Sequence, residues 1–155
     1  MAKDIVTCKV TGLKGVSEKM LSIEPKIARK LLRKSLKNVG VFWVDAVKSH
    51  VPVLLGDLRE SIAAKVTTRK GRWQSGGLPT GSVTVGPSYN VPRSDDKKSV
   101  PPGVYGMFVE FGLKAKRYKK EPFMRPAFDS TGSAAVDVFA NTLRSGLEEA
   151  IKNDD

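Results

Sequence analysis

Three residues of this chain are the candidates for catalysis or metal binding: Glu110, His50 and Cys8. Glu110 lies inside the apolar run Tyr105–Gly112, and a carboxyl group among apolar side chains can serve as a general acid or base. His50 is the only histidine and Cys8 the only cysteine, so His and Cys ligands alone cannot complete a tetrahedral zinc site. A small hydrolase that uses Glu110 or His50 is therefore the catalytic hypothesis to weigh.

The surroundings of these residues argue against catalysis. The chain has no glycine-rich phosphate-binding motif, no dinucleotide fingerprint and no nucleophile elbow around a serine. His50 stands at the end of a predicted helix, where a cation is favoured by the helix dipole. Cys8 lies in an alternating run typical of a strand, where a thiol fills space. We expect no enzyme activity, no cofactor and no metal ligands.

Glu110 has two non-catalytic interpretations. In the first, its carboxylate is the partner of a basic residue such as Arg125, within the chain or across a subunit interface, because a buried carboxylate needs a partner. In the second, Glu110 is an exposed acid on an edge strand.

A basic loop follows the Glu110 segment and contains five cationic residues in seven positions: Lys114, Lys116, Arg117, Lys119 and Lys120. It could contact the phosphate backbone of DNA without sequence preference. It could also pair with an acidic patch on a neighbour, such as the C-terminal tail of another copy, or be solvated. The Lys/Arg stripe of the long N-terminal helix is expected to be a solvated face, with a nucleic-acid site as the alternative.

The charge of the chain is unevenly distributed. The net charge is +11, from 27 basic and 16 acidic residues. Residues 129–155 hold six acids and two bases, whereas residues 1–128 hold 25 bases and ten acids. A basic body with an acidic tail can bind polyanions or stack head to tail with copies of itself. The single cysteine favours a reducing compartment.

The elements that must position these residues follow from hydrophobic periodicity and from Pro and Gly. A stripe at steps of three and four predicts a helix from about Glu24 to His50, with the apolar positions Ala28, Leu32, Leu36, Val39, Trp43 and Val47. A similar stripe predicts a last helix from Arg125 to about Lys152, with an inner face of Ala127, Phe128, Ala135, Val138, Phe139, Leu143, Leu147 and Ile151. Asp57 is expected to cap a short helical turn. Further predictions are a strand at 4–10, a helical turn at Val16–Leu21, strands at Ile62–Arg69 and Thr80–Gly86, and a strand or helix at Val104–Phe111.

Together these elements predict an α+β fold. A small antiparallel sheet of three to four strands packs against a long N-terminal helix and a C-terminal helix. Residues 1–155 are expected to form a single domain, with an extended hairpin loop at 70–81 and a Pro-rich arm or insertion at 88–103. No apolar run reaches the roughly 18 residues of a membrane span, and we see no signal peptide.

The order of motifs along the chain resembles that of a known protein family. A basic amphipathic helix precedes Pro52 and Gly56-X-Leu58-Arg59-X-Ser61-Ile62, then Tyr105-Gly106-X-Phe108-Val109-Glu110-Phe111-Gly112, then Pro122-Phe123-Met124-Arg125-Pro126-Ala127-Phe128. This order is similar to that of the neck and tail-completion proteins of long-tailed bacteriophages, the minor tail protein Z-like group, over roughly residues 13–150. The sequence departs from the pattern at Gly106, where alanine is usual, and at Leu113, where threonine is common.

The resemblance implies a non-enzymatic virion protein, assembled in the host cytoplasm, that forms a ring of six copies at the head–tail neck. Its partners would be itself, tail terminator or tail tube proteins and head connector proteins, with genomic DNA passing through the lumen. Candidate interface or motif residues are Trp73, Tyr89, Tyr105, Phe108, Glu110, Phe111, Phe123, Met124 and Arg125. The alternatives are a non-specific DNA-binding module and a tail-terminator-like protein.

Overall fold

The computed structural model describes residues 14–21, 23–52, 56–70, 78–88, 101–112 and 119–152, which form five helices and two strands. In chain order the elements are α1 (Lys14–Leu21), α2 (Pro25–His50), α3 (Gly56–Ser61), β1 (Ile62–Arg69), β2 (Thr80–Pro87), α4 (Pro102–Phe111) and α5 (Met124–Lys152). The predicted α+β class, with a long N-terminal helix and a C-terminal helix, is confirmed.

The bounds of helix α2 agree with the apolar periodicity to within one residue. Pro25 occupies its first turn, where a missing N–H costs nothing, and Pro52 follows its last residue, His50, by two positions. Four positions of the predicted stripe are buried: Ala28, Leu32, Val39 and Val47. The other two, Leu36 and Trp43, are half-buried.

The sheet is smaller than predicted. Within the described residues it consists of the antiparallel pair β1 and β2 alone. The prediction of three to four strands was therefore wrong. In β2, Val83 is half-buried and Val85 is buried, which confirms that they share the inner face. The predicted strand at 4–10 lies outside the described residues. So do residues 71–77 of the predicted hairpin loop and residues 89–100 of the predicted arm.

The segment Val104–Phe111 is helical, and helix α4 also includes the last two residues of the predicted arm, Pro102 and Gly103. The N–H groups of Val104 and Tyr105 donate to the carbonyl oxygen of Pro101, at 2.9 and 3.0 Å, and close the first turn. A continuous apolar run suits a buried strand or a buried helix equally, so periodicity alone could not decide between them.

The chain divides into two compact units. The first comprises Met1–Val39, Val66–Val83 and Gly132–Asp155. Its core joins α1, the start of α2 and the end of α5 through buried apolar side chains: Met20, Ile23, Ala28, Leu31, Leu32, Leu143 and Leu147. A side-chain hydrogen bond of 3.4 Å from Asn38 to Thr142 lies in the same unit.

The second unit comprises Gly40–Lys65 and Thr84–Thr131. Here the rings of Trp43 and Phe128 meet edge to face, with centroids 5.0 Å apart. The N–H of Ser88 donates to the carbonyl oxygen of Ser61 at 2.8 Å. Helix α3 packs against α4. That residues 1–155 form one domain stays a prediction.

Candidate functional site

The carboxylate of Glu110 binds the beginning of helix α5. Glu110 lies in the last turn of α4 and is 9% exposed. Its Oε2 accepts hydrogen bonds from the backbone N–H groups of Phe123, at 2.7 Å, and Met124, at 2.9 Å. Its Oε1 accepts a longer bond, 3.4 Å, from the N–H of Arg125. We call Glu110 with these three N–H groups the Glu110 clamp.

The clamp meets the hydrogen-bonding needs of the α5 N-terminus. The first four N–H groups of a helix have no partner inside the helix. At α5 these positions are Phe123, Met124, Arg125 and Pro126, and proline has no N–H. The carboxylate therefore takes all three available donors. Because α5 has no acidic residue in its own first turn, Glu110 also supplies the negative charge that the helix dipole favours there.

Backbone contacts hold the two partners of the clamp together. The N–H of Gly112 donates to the carbonyl oxygen of Phe108, at 2.8 Å, and ends α4. Gly112 has φ 73° and ψ 166°, a combination that is essentially restricted to glycine. The N–H of Glu121 donates to the carbonyl oxygen of Val109, at 3.0 Å, beside the start of α5. The Tyr105–Gly112 motif and the Pro122–Phe128 motif thus meet at the Glu110 clamp. The first contributes the carboxylate, and the second contributes the N–H groups that bind it.

Gly106 allows α4 to pack closely within the second unit. A Cβ on Gly106 would lie 2.8 Å from Cγ of Pro87 and 3.1 Å from Cδ1 of Leu58. Real Cβ atoms essentially never approach to less than 3.0 Å. The departure from the family pattern at this position therefore has a physical reason, since the pyrrolidine ring of Pro87 occupies the space of the missing methyl group.

The structure decides between the two interpretations of Glu110. The carboxylate has partners within the chain, and they include the backbone N–H groups of Phe123, Met124 and Arg125. The alternative, an exposed acid on an edge strand, is wrong because Glu110 is buried and helical. The role of this carboxylate is to join two helices.

The α4 surface beside the clamp is apolar. Met107 and Phe111, one helical turn apart, are 53% and 61% exposed. We call them the α4 apolar pair. Tyr105 and Phe108 are half-buried. Scattered exposed apolar residues are ordinary, but two large ones at an i, i+4 spacing form a continuous patch.

The other predicted interface residues are distributed differently. Phe123 is buried, so its ring contributes to packing within the chain and not to a surface contact. Met124 is half-buried and Arg125 is exposed at the start of α5. Trp73 and Tyr89 lie outside the described residues, and so do Lys114, Lys116 and Arg117 of the basic loop. Lys119 and Lys120 are exposed.

Only part of one cluster of basic side chains was predicted from the sequence. Four basic side chains of α2 and one beside β1 line a common open groove in the first unit: Lys26, Arg29, Lys30, Arg33 and Lys70. The spacing of the α2 members, at steps of three, one and three, places them on one helical face, and they belong to the Lys/Arg stripe that the sequence indicates. Nothing in the sequence places Lys70 beside it.

His50 occupies the position expected of a helix cap. Its Nδ1 lies 2.9 Å from the carbonyl oxygen of Ala46, within the last turn of α2. The hydroxyl of Ser49 donates to the same carbonyl oxygen, at 2.7 Å, so both side chains contact the last turn of the helix. Within the described ranges, no three His, Cys, Asp or Glu residues are grouped so that they could hold a metal ion. No described helix is long and apolar enough to span a membrane.

A comparison with protein families identifies one match. The family model described as "Bacteriophage HK97-gp10, putative tail-component" matches residues 16–112, which is 97 of the 155 residues. The match includes α2 and the Tyr105–Gly112 motif and ends before Pro122. No curated protein and no solved structure matches the chain.

Proposed function

The chain belongs to the bacteriophage HK97-gp10-like family of tail components, and from this premise we propose that it is a structural protein of the head–tail neck. The protein forms a ring, with six copies as the expected number, that completes the tail and helps to join it to the head. DNA passes through the lumen of this ring. The protein has no enzymatic role, is assembled in the host cytoplasm and remains in the virion. The family match is the observation that carries the proposal.

The α4 apolar pair supports a subunit contact. A ring built from identical subunits needs two different complementary surfaces on each copy. Met107 and Phe111 offer the kind of side chain that fills the centre of protein interfaces, where aromatic residues and methionine are enriched. We assign one of the two ring surfaces to this part of α4.

The Glu110 clamp supports the same assignment. An interface contributes more to affinity when its residues are already held in the bound arrangement, because less conformational entropy is lost on binding. The clamp and the bond from Glu121 to Val109 tie the end of α4 to the start of α5. The α4 apolar pair is therefore presented by a rigid segment.

Electron microscopy of the purified protein, alone and mixed with purified tail tubes or head connectors, tests this proposal. We expect rings that cap one end of each tube, with a symmetry that can be counted in end views. A protein that stays monomeric at high concentration and binds neither tubes nor connectors contradicts the proposal. A monomer alone does not, since a ring can form on its partner only.

A tail-terminator role is the related alternative, and tube assembly distinguishes it. A terminator stops the growth of the tube, so adding the protein to assembling tube subunits would shorten the tubes. A neck protein would bind finished tubes and leave their length unchanged. The basic groove of the first unit favours contact with DNA in either case.

A further inference from the structure

The first unit contains an open groove of about 570 Å³ beside the beginning of α2. Its described lining includes five cationic side chains: Lys26, Arg29, Lys30, Arg33 and Lys70. The remaining lining residues are Pro25, Thr68 and Pro79. We call this feature the α2 basic groove.

The positive charge of this groove is largely uncompensated. Among the described residues that line it there is no acidic side chain, and residues 71–77 contain none in the sequence. Lys26 pairs with Glu24 at 3.9 Å, where both side chains are exposed, and such pairs contribute little. The described part of the chain provides no ion pair for Arg29, Lys30, Arg33 or Lys70. Five like charges around one space repel each other, so an anion that enters the groove is attracted strongly.

A second copy of the chain does not meet this requirement. Each copy carries a net charge of +11, so a second copy brings more positive than negative charge. Residues 129–155 offer four exposed described acids, Asp129, Asp137, Glu148 and Glu149, which are spread along α5, whereas the five cations surround one groove. The partner must therefore be a different and densely charged anion.

Duplex DNA has this property, because it carries one negative charge for about every 1.7 Å of its axis. The row from Lys26 to Arg33 spans seven residue steps of helix, or about 10 Å, which equals the axial rise of about three phosphates of one DNA strand. Lysine acts on phosphate as a point charge, whereas arginine can donate two parallel hydrogen bonds. Neither contact depends on the base sequence.

We propose that the α2 basic groove binds the phosphodiester backbone of duplex DNA without sequence preference. The inference rests on the proposed function, in which DNA passes through the ring, and it assigns the DNA contact to α2 and Lys70. It also changes the expected role of the α2 Lys/Arg stripe, which the sequence led us to regard as a solvated face.

Two triple variants of the full chain test the inference, and both remove three exposed charges. K26Q/K30Q/R33Q alters the α2 basic groove. K34Q/K37Q/R144Q removes two lysines and one arginine from exposed positions of the first unit that do not line the groove. Circular dichroism and thermal unfolding establish that both variants are folded, which is expected because all six side chains are exposed.

Binding of a fluorescent DNA duplex of arbitrary sequence is measured by anisotropy between 50 and 200 mM salt. For the groove variant, the slope of log K against log salt concentration should decrease in magnitude by about 3, since each phosphate contact contributes about 0.9. The slope of the control variant should stay close to that of the wild type. A duplex of different sequence should give the same result.

Three results would overturn the inference. The wild type could fail to bind DNA, or both triple variants could lose affinity equally, which would indicate overall charge instead of a groove. The groove variant could also keep its DNA affinity and lose its binding to tail tubes, which would identify an acidic protein as the partner. Microscopy on tail tubes separates these results from a failure of the neck proposal, since rings can cap tubes whether or not the groove binds DNA.

Discussion

At the residue scale, the side chain of Glu110 connects two motifs that are separated in the sequence. The carboxylate is in the last turn of α4, and its donors begin 13 residues later at Phe123. A glutamate at the end of a helix is unfavourable for that helix, because the C-terminus carries a partial negative charge. The cost is offset here by three hydrogen bonds to the positive end of α5.

We predict that Glu110→Ala lowers the free energy of unfolding by about 2–3 kcal/mol, because three backbone N–H groups, of which that of Phe123 is buried, lose a charged acceptor. Glu110→Gln should cost less, about 1 kcal/mol, since the two shorter bonds share one oxygen that an amide can still provide. Urea unfolding measures both values. Glu148→Ala, at an exposed position of α5, is the control and should stay within about 0.5 kcal/mol of the wild type. Equal effects of Glu110→Ala and the control would disprove the clamp.

Two glycine-to-alanine changes in helices should have opposite effects. At Gly106 the new methyl group meets Pro87 and Leu58, and the overpacking, about 1–3 kcal/mol, should exceed the gain of about 1 kcal/mol in helix propensity. At Gly132 a Cβ meets nothing within 4 Å, so the substitution should stabilise the protein by about 0.5–1 kcal/mol. Thermal unfolding should show a lower midpoint for Gly106→Ala and a higher one for Gly132→Ala. A higher midpoint for both would mean that Pro87 can move aside.

At the element scale, periodicity located the long helices but overstated how far their inner faces are buried. In α5 the predicted positions Ala127, Ala135, Leu143 and Leu147 are buried, whereas Ile151 is 42% exposed. An apolar position is buried only where a neighbouring element runs beside it. The apolar repeat continues through the last turn of the helix. It does not indicate where the neighbouring element ends.

This difference along α5 predicts unequal costs for two truncations. Leu147→Ala should lower the free energy of unfolding by about 2–5 kcal/mol, because it opens a cavity in the core of the first unit. Ile151→Ala should cost less than about 1 kcal/mol, because much of its side chain is already in water. Urea unfolding of both variants measures the two changes in the free energy of unfolding. Similar costs would show that Ile151 belongs to the packed face after all.

At the scale of the whole molecule, the chain combines an apolar patch and a basic groove, one in each compact unit. The two features suit different partners, since apolar surface favours protein and dense positive charge favours a polyanion. In the proposed ring, the α4 apolar pair contacts the next subunit and the α2 basic groove contacts DNA. The two activities should therefore be separable by mutation.

We predict that Met107→Gln with Phe111→Gln weakens self-association by at least about 100-fold, since two large apolar side chains each contribute about 1.5 kcal/mol or more when buried. Sedimentation velocity, with and without tail tubes, measures the effect. Leu21→Gln with Val41→Gln is the matched control, because these side chains are 56% and 55% exposed. DNA affinity should be unchanged in the monomer. A ring that survives the first double substitution would exclude this part of α4 from the interface.

Much of the fold was predictable because it depends on local patterns. The start of α2 at Pro25 and its end before Pro52 follow from the chemistry of proline, and the stripe along it follows from helical geometry. Strand β1 was predicted at the residues where it occurs. The nature of the segment Val104–Phe111 was not predictable, because an apolar run without alternation suits a helix and a strand equally.

The sequence by itself determined the two long helices, one strand pair, the family resemblance and the excess of positive charge, since each is recorded in neighbouring residues or in composition. Tertiary structure decided that the carboxylate of Glu110 caps α5, that Pro87 leaves no room for a side chain at Gly106, and that Lys70 joins the basic row of α2. These are contacts between residues far apart in the chain. Their partners are chosen by how the elements pack, and neither periodicity nor composition encodes that choice.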